Sequence, residues 1–250
     1  MHQEKIVMTS DNKPLIIITG STSGIGQQTA IRFSDAGHPL LLIGRNTAKI
    51  QNLNLPNSII KQVDVTDIEA LKASVLEAEK IYGPADAILN IAGLMLLGDV
   101  ATQDPAEWQS MVNTNVLGVL NGMQAVLPGM KSRRHGTIMN VSSIAGIKPF
   151  PNHAAYTATK FAVHGMTDNV REEVADLNIR VMTIAPGAVE TALLSHTTSQ
   201  EIKDGYADWK QEMGGVLAPD DVARTMLFAY QQPQSVNLRE IVLATTKQVS

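Results

Sequence analysis

Two pentapeptides share one skeleton, YTATK at 156–160 and YADWK at 206–210. Each sets a phenol four residues before an ammonium, and on a helix those side chains share a face. A lysine held beside a tyrosine can lower the phenol's pKa and make it a usable proton donor and acceptor. So short a pattern also arises by chance, so the neighbours must choose between the pairs. Ser143, in VSSIAG, lies thirteen residues before Tyr156, whereas the equivalent position before Tyr206 is Leu193. A serine at the C-terminal end of a strand and a tyrosine on the next helix can reach one carbonyl oxygen. Lys160, a turn beyond Tyr156, faces the same place, and Ser142 is the alternative serine. YADWK reads more simply as an amphipathic lid helix carrying Tyr206, Trp209 and Met213, side chains available to line a pocket.

Such residues need a scaffold that brings strand ends and helix starts together. Short apolar runs at 14–19, 39–43, 58–63, 86–90, 137–142, 179–185 and 239–244 read as strands. Their nearly unbroken apolar character suits a parallel sheet buried on both faces. Segments of helical period fall between them, at 25–36, 47–53, 67–82, 105–130, 153–177 and 219–231. This alternation predicts an α/β fold, a doubly wound parallel sheet of about seven strands (Rossmann-type), in a single domain. Only 191–215, rich in Ser, Thr and Gly, stands outside it and is expected to be a substrate lid.

The chain has 250 residues, 44% of them hydrophobic, enough for a substantial core. Its formal charge is −4 and basic residues do not cluster beyond Arg133–Arg134, which argues against nucleic acid or an anionic membrane as partner. The absence of cysteine excludes disulfides, thiolate catalysis and cysteine-held metal. His2, His38, His135, His153, His164 and His196 are scattered without metal-ligand spacing, so no metal is expected. The N-terminal stretch MHQEKIVMTSDNK lacks the apolar core of a signal peptide, and no apolar run is long enough to span a bilayer. The expectation is a soluble, cytoplasmic protein.

Immediately after the first strand, TGSTSGIG sets Gly20, Gly24 and Gly26 at the mouth of a helix. Glycines there let backbone N–H groups approach a pyrophosphate at the helix's positive end; the alternative is an ordinary tight turn. At the end of the second strand, where a carboxylate often holds the NAD ribose, stand Gly44 and Arg45. An arginine pairs with the 2′-phosphate of NADP, so NADP is the expected cofactor; a surface helix-capping arginine is the alternative. Asp64 is placed to accept from an adenine amino group, or to cap a helix, an alternative equally open to Asp67.

TGSTSGIG, DVTD, NIAG, NTNVLG, NVSS, YTATK and APGAVET, in this order over residues 14–244, resemble the motif set of the short-chain dehydrogenase/reductases. The resemblance implies that Tyr156 is the general acid and that Ser143 hydrogen-bonds the substrate oxygen. It implies that Lys160 holds the nicotinamide ribose and lowers the Tyr156 pKa, and that Asn115 supports a proton-resupplying water. Cofactor contacts are implied for Gly20, Ser23, Gly24, Ile25, Gly26, Arg45, Asp64, Val65, Asn90, Ala92, Gly93, Tyr156, Lys160, Pro186, Gly187, Val189 and Thr191. Ile91 departs from the family's NNAG, losing any side-chain hydrogen bond made there. The family's habit further implies a tetramer or dimer built on the two long helices after strands four and five, with which the small-residue run HAAYTATKFA is compatible.

Substrate identity is less sharply marked. Residues 94–97, 144–151 and the lid supply mostly apolar walls for an aldehyde, ketone or secondary alcohol. Lys148 is the evident cation there. It either meets the carboxylate of a 3-hydroxy acid or is solvated. GRN, VLPGM and VNLREIVLATTKQ are similar to the bacterial branch holding 3-hydroxy-acid and serine dehydrogenases. A 3-oxoacyl-carrier-protein reductase is the enzymatic alternative, although the usual terminal glycine pair is missing. A non-catalytic NADP sensor is the other, but it has no evident need for Ser143, Tyr156 and Lys160 together.

Overall fold

Leu15–Thr19 forms β1, five consecutive buried residues whose side chains alternate between two apolar layers. Around it lie β2 (Leu40–Gly44), β3 (Ser58–Gln62), β4 (Ala85–Asn90), β5 (Gly136–Val141), β6 (Ile179–Pro186) and β7 (Glu240–Leu243). This computed structural model describes residues 13–248, so the polar N-terminus and His2 lie outside the described residues. All seven strands are parallel, in the order β3-β2-β1-β4-β5-β6-β7. The order reverses at β1 and β4, which opens a crevice at their C-terminal ends.

Each face of the sheet is covered by helices. Leu15, Ile17, Leu41, Ile88, Ile138 and Val181 pack against α3 (Ile68–Tyr82), α5 (Gly118–Arg133) and α6 (Ala154–Glu173). Ile16, Ile18, Leu42, Leu89, Met139 and Met182 face α1 (Gly24–Asp35) and α8 (Pro219–Tyr230). Local chemistry fixes several starts. Asp67 accepts from Ala70 N at 3.0 Å to cap α3, and Asp104 accepts from Ala106 N at 2.9 Å ahead of α4 (Pro105–Val112). A four-residue α2 (Ala48–Gln51) follows β2, and α7 (Gln200–Glu212) lies in the segment expected to be a lid. Among the described residues no helix is long and apolar enough to cross a membrane.

The helix expected at 105–130 is interrupted. Between α4 and α5, Asn113–Leu117 forms a π-helical turn. The cause is tertiary: Asn115 Nδ2 donates to Leu94 O at 2.8 Å while its Oδ1 accepts from Leu94 N at 2.7 Å. One residue is thereby drawn toward the β4 end, which widens the turn.

Opposite the crevice, Arg180 is buried at 4% exposure and ties β6 to β5 and α8. It donates to Thr137 Oγ1 at 2.8 Å, to Tyr230 O at 2.9 Å and to Gln232 O at 2.8 Å. Tyr230 in turn donates to Asp86 Oδ2 at 2.6 Å. Arg180→Leu removes charge-assisted bonds at the end of α8, so unfolding free energy is expected to fall by about 3 kcal/mol. Thermal unfolding should then shift down by roughly 6–12 °C, with kcat/KM within about twofold of the parent.

Candidate active site

At the C-terminal ends of the strands a cavity of about 1500 Å³ opens, larger than the roughly 300–1,000 Å³ that one small ligand occupies. Its floor is the turn between β1 and α1. Gly20 and Gly24 have left-handed φ values of +67° and +51°. A Cβ on Gly20 would stand 2.7 Å from the Ala92 backbone, and one on Gly26 would stand 2.1 Å from Gly20 O. Only hydrogen fits at either place. Ser23 makes no side-chain cap and no acidic residue occupies the first turn of α1, so its N–H groups face the cavity unpaired by the chain's own carboxylates. The ends of β1 and β4 are clasped by Thr19 Oγ1, which accepts from Ile91 N at 3.1 Å and Ala92 N at 3.3 Å. Ile91, which departs from the expected asparagine, packs its side chain into the apolar layer instead.

The far end of this floor is set by β2. A Cβ on Gly44 would meet Thr22 Cγ2 at 2.5 Å, so the position that carries a carboxylate in many NAD sites has no room for a side chain unless Thr22 moves. Arg45 follows, exposed on the cavity wall and without an ion pair among the described residues. Asp64 and Val65 also line the wall. Asp64 Oδ1 accepts from Thr66 N and Thr66 Oγ1, both at 2.9 Å, closing a local turn, and Asp67 takes the cap of α3.

One helix face carries the chemistry. Tyr156, Thr159, Lys160, Val163 and Thr167 are the buried residues of α6, spaced three and four apart so that they align on one side. Tyr156 and Lys160 are only 6% and 5% exposed, yet both reach the cavity. Lys160 Nζ donates to Val141 O at 2.9 Å and lies 5.7 Å from the centre of the Tyr156 ring. Burial lowers the Lys160 pKa from 10.5 to about 8. Burial also pushes the Tyr156 phenol well above its ordinary 10, and the facing Ser143 hydroxyl is the group that opposes this rise. In the protein alone, desolvation is the largest influence on the phenol and Ser143 the one that opposes it.

The two serines separate cleanly. Ser143 Oγ accepts from Ala145 N at 3.1 Å and keeps its proton for the cavity. Ser142 Oγ is 3.0 Å from Lys160 O, to which it donates, and 2.9 Å from His164 Nδ1. Asn115 is fully buried and off the cavity wall. Besides Leu94, its Nδ2 donates to Thr159 Oγ1 at 3.0 Å, so both amide hydrogens are used within the chain. Asn90 turns its side chain elsewhere: its Nδ2 donates to Asn140 Oδ1 at 2.8 Å inside the sheet, away from the cavity lining. Cross-strand pairing of β4 with β5 sets these two residues side by side, and Asn140 continues the polar ladder to Thr167 at 3.0 Å.

The remaining expected residues do converge. Ile25, Ala92, Gly93, Pro186, Gly187, Val189 and Thr191 line the same cavity. Thr191, at the start of the 191–215 segment, stands 3.0 Å from where a Gly24 Cβ would be. Gln248 was not expected. Its Oε1 accepts from Ala188 N at 3.1 Å, bringing the chain's tail to the cavity beside Gly187, and no sequence pattern marks it. The second pentapeptide also finds its place. Tyr206 lines the cavity and packs on Trp209 with centroids 5.2 Å apart, while Lys210 is taken by Glu190 at 2.5 Å. The Tyr206 phenol is pushed up to about 12 by burial and by Glu190, and the lysine of its pentapeptide is already paired with Glu190.

The profile of the family described as short chain dehydrogenase matches residues 14–202. An uncharacterized oxidoreductase of Listeria monocytogenes is 37% identical over 249 residues, covering 96% of this chain and 99% of the relative. Among solved structures, the closed form of serine dehydrogenase complexed with NADP+ superposes with a TM-score of 0.87 at 29% identity, over 94% of this chain and 96% of its own. ElxO with NADP bound gives 0.81 at 28% identity, over 92% of this chain and 96% of that one.

Proposed function

Because this chain belongs to the short-chain dehydrogenase family, we propose that it is an NADP(H)-dependent oxidoreductase interconverting a ketone or aldehyde with its alcohol. The observation that carries the reading is the meeting of the Ser143 and Tyr156 hydroxyls beside Lys160, in one cavity with a glycine turn whose helix N–H groups are open to a ligand. The residues fit a dinucleotide. Backbone N–H groups around Ser23, Gly24, Ile25 and Gly26 suit its pyrophosphate, and Asp64 and Val65 its adenine. Arg45 suits the 2′-phosphate, and the 186–191 segment the nicotinamide end.

NADP(H), when bound, supplies the hydride to the carbonyl carbon or accepts it from the carbinol carbon. In reduction, the neutral Tyr156 phenol donates its proton to the carbonyl oxygen, and its raised pKa keeps that proton available across neutral pH. Ser143 donates to the same oxygen and stabilises the charge that develops there. Lys160 spends one N–H on Val141 O, leaving the others for ribose hydroxyls. Its ammonium sits where a deprotonated Tyr156 needs a positive neighbour. Asn115 positions the widened turn rather than touching the reacting atoms.

The exposed Leu117, Leu120 and Phe161 on the long helices support a homo-oligomer, tetramer or dimer, and the composition supports a cytoplasmic location. The cofactor reading has its own test. Arg45→Asp is expected to lower the kcat/KM ratio of NADPH over NADH by about 100-fold, because a paired phosphate becomes a repelled one. Steady-state assays with both cofactors measure this, and an unchanged ratio would remove Arg45 from the phosphate site. The reaction itself is tested by a panel of aldehydes, ketones and alcohols scored by NADPH absorbance. Turnover of none of them would sink the proposal.

A further inference from the structure

Lys148, read as either meeting a substrate carboxylate or being solvated, does not line the cavity. Its ammonium lies over the Phe150 ring, 5.1 Å from the centroid. Around Tyr156 the wall is apolar, formed by Met95, Leu97 and Ala145 with Phe150, Leu194 and Ile202 packed against them. Further out, at the mouth, the charged groups are Asp99, Asp104, Glu107 and Glu201, all carboxylates. Glu107 is fixed there, since Oε2 accepts from Gln103 Nε2 at 2.9 Å and Oε1 from Thr198 Oγ1 of the lid at 3.1 Å.

Among the described residues that line this side, no lysine or arginine is free. Of the cavity's lysines and arginines, Arg45 and Lys160 belong to the cofactor side, and Lys210 is paired with Glu190 at 2.5 Å. His196 is exposed on the lid. Burial lowers the His153 pKa, against the opposing effect of Pro151 O, to which Nδ1 donates at 2.6 Å.

Resting on the oxidoreductase reading above, we infer that the substrate is an uncharged carbonyl compound, or its alcohol, with an apolar body. The carboxylates at the mouth exclude acids. A substrate carboxylate would lose water in the apolar wall without gaining a counter-ion, and would pass four like charges on entry. This sets the chain apart from a site built for 3-hydroxy acids, even though its fold superposes on a serine dehydrogenase.

The test is a 3-oxo acid assayed against its own methyl ester with NADPH, since the two share one reacting carbonyl. The ester is expected to have a kcat/KM at least about tenfold higher. In the double variant Glu107→Gln with Glu201→Gln the gap should narrow several-fold, with ester turnover retained. Equal or better reduction of the acid by the parent overturns the inference and leaves the oxidoreductase reading standing. A preference for the ester that the double variant leaves untouched refutes the exclusion by carboxylates. If neither compound nor any member of the wider panel is reduced, the oxidoreductase reading fails and the inference falls with it.

Discussion

Tyr156→Phe is expected to lower kcat/KM for carbonyl reduction by about 10³-fold or more, with NADPH binding and thermal unfolding within error of the parent. The variant deletes one oxygen from a side chain that is 6% exposed and leaves the ring in the apolar cluster with Met95 and Ala145. What is lost is the proton donor to the substrate oxygen, a contribution of roughly 10²–10⁴-fold in positioned general acids. Ser143 loses its partner at the same oxygen, which adds to the effect. The measurements are steady-state kinetics beside fluorescence titration of NADPH. A variant that reduces carbonyls at the parental rate would show that the proton comes from another group.

Lys160→Met separates function from stability. The ammonium is buried, and its pKa falls from 10.5 to about 8 because desolvation opposes the charge. That difference corresponds to roughly 3 kcal/mol of unfavourable burial at neutral pH. Since the unfolded chain binds the proton more tightly, this cost is fully present below pH 8. It is relieved as pH rises from about 8 toward 10.5. Methionine fills similar volume without charge, at the loss of the bond to Val141 O, worth about 1 kcal/mol. Tm at pH 7 is therefore expected to be unchanged or higher, while kcat/KM falls by about 10²-fold or more. In the parent enzyme, activity should decline as pH rises through about 8 and Lys160 loses its proton. A variant both less stable and fully active would contradict both assignments.

Much of this architecture was legible in the chain because its signals are local. β1, expected at 14–19, runs over Leu15–Thr19, and its five residues are buried on both faces, as an unbroken apolar run requires. Tyr156 and Lys160 were readable because helix periodicity alone aligns them, and Ser143 because it ends a strand one connection earlier. The π-turn at Asn113–Leu117 was not, since its cause is a reciprocal bond between Asn115 and Leu94, distant in sequence. The pairing of the Asn90 amide with Asn140 was not legible either, since it depends on β4 and β5 lying side by side. The direction of Lys148 was not legible, because a loop lysine's direction is set by what it packs on, here Phe150, and no period governs that. Thr22 beside Gly44 and Gln248 beside Ala188 are contacts between segments that only folding brings together.

The central claim is hydride transfer at Tyr156 between NADP(H) and a carbonyl carbon. Its most direct measurement uses NADPH deuterated on either face of the transferable nicotinamide carbon, with the alcohol product read by mass spectrometry. Deuterium should appear at the carbinol carbon from one of the two labelled forms and not from the other, and in Tyr156→Phe this labelled product should nearly vanish. NADPH consumed without deuterium reaching the alcohol from either form would contradict the account.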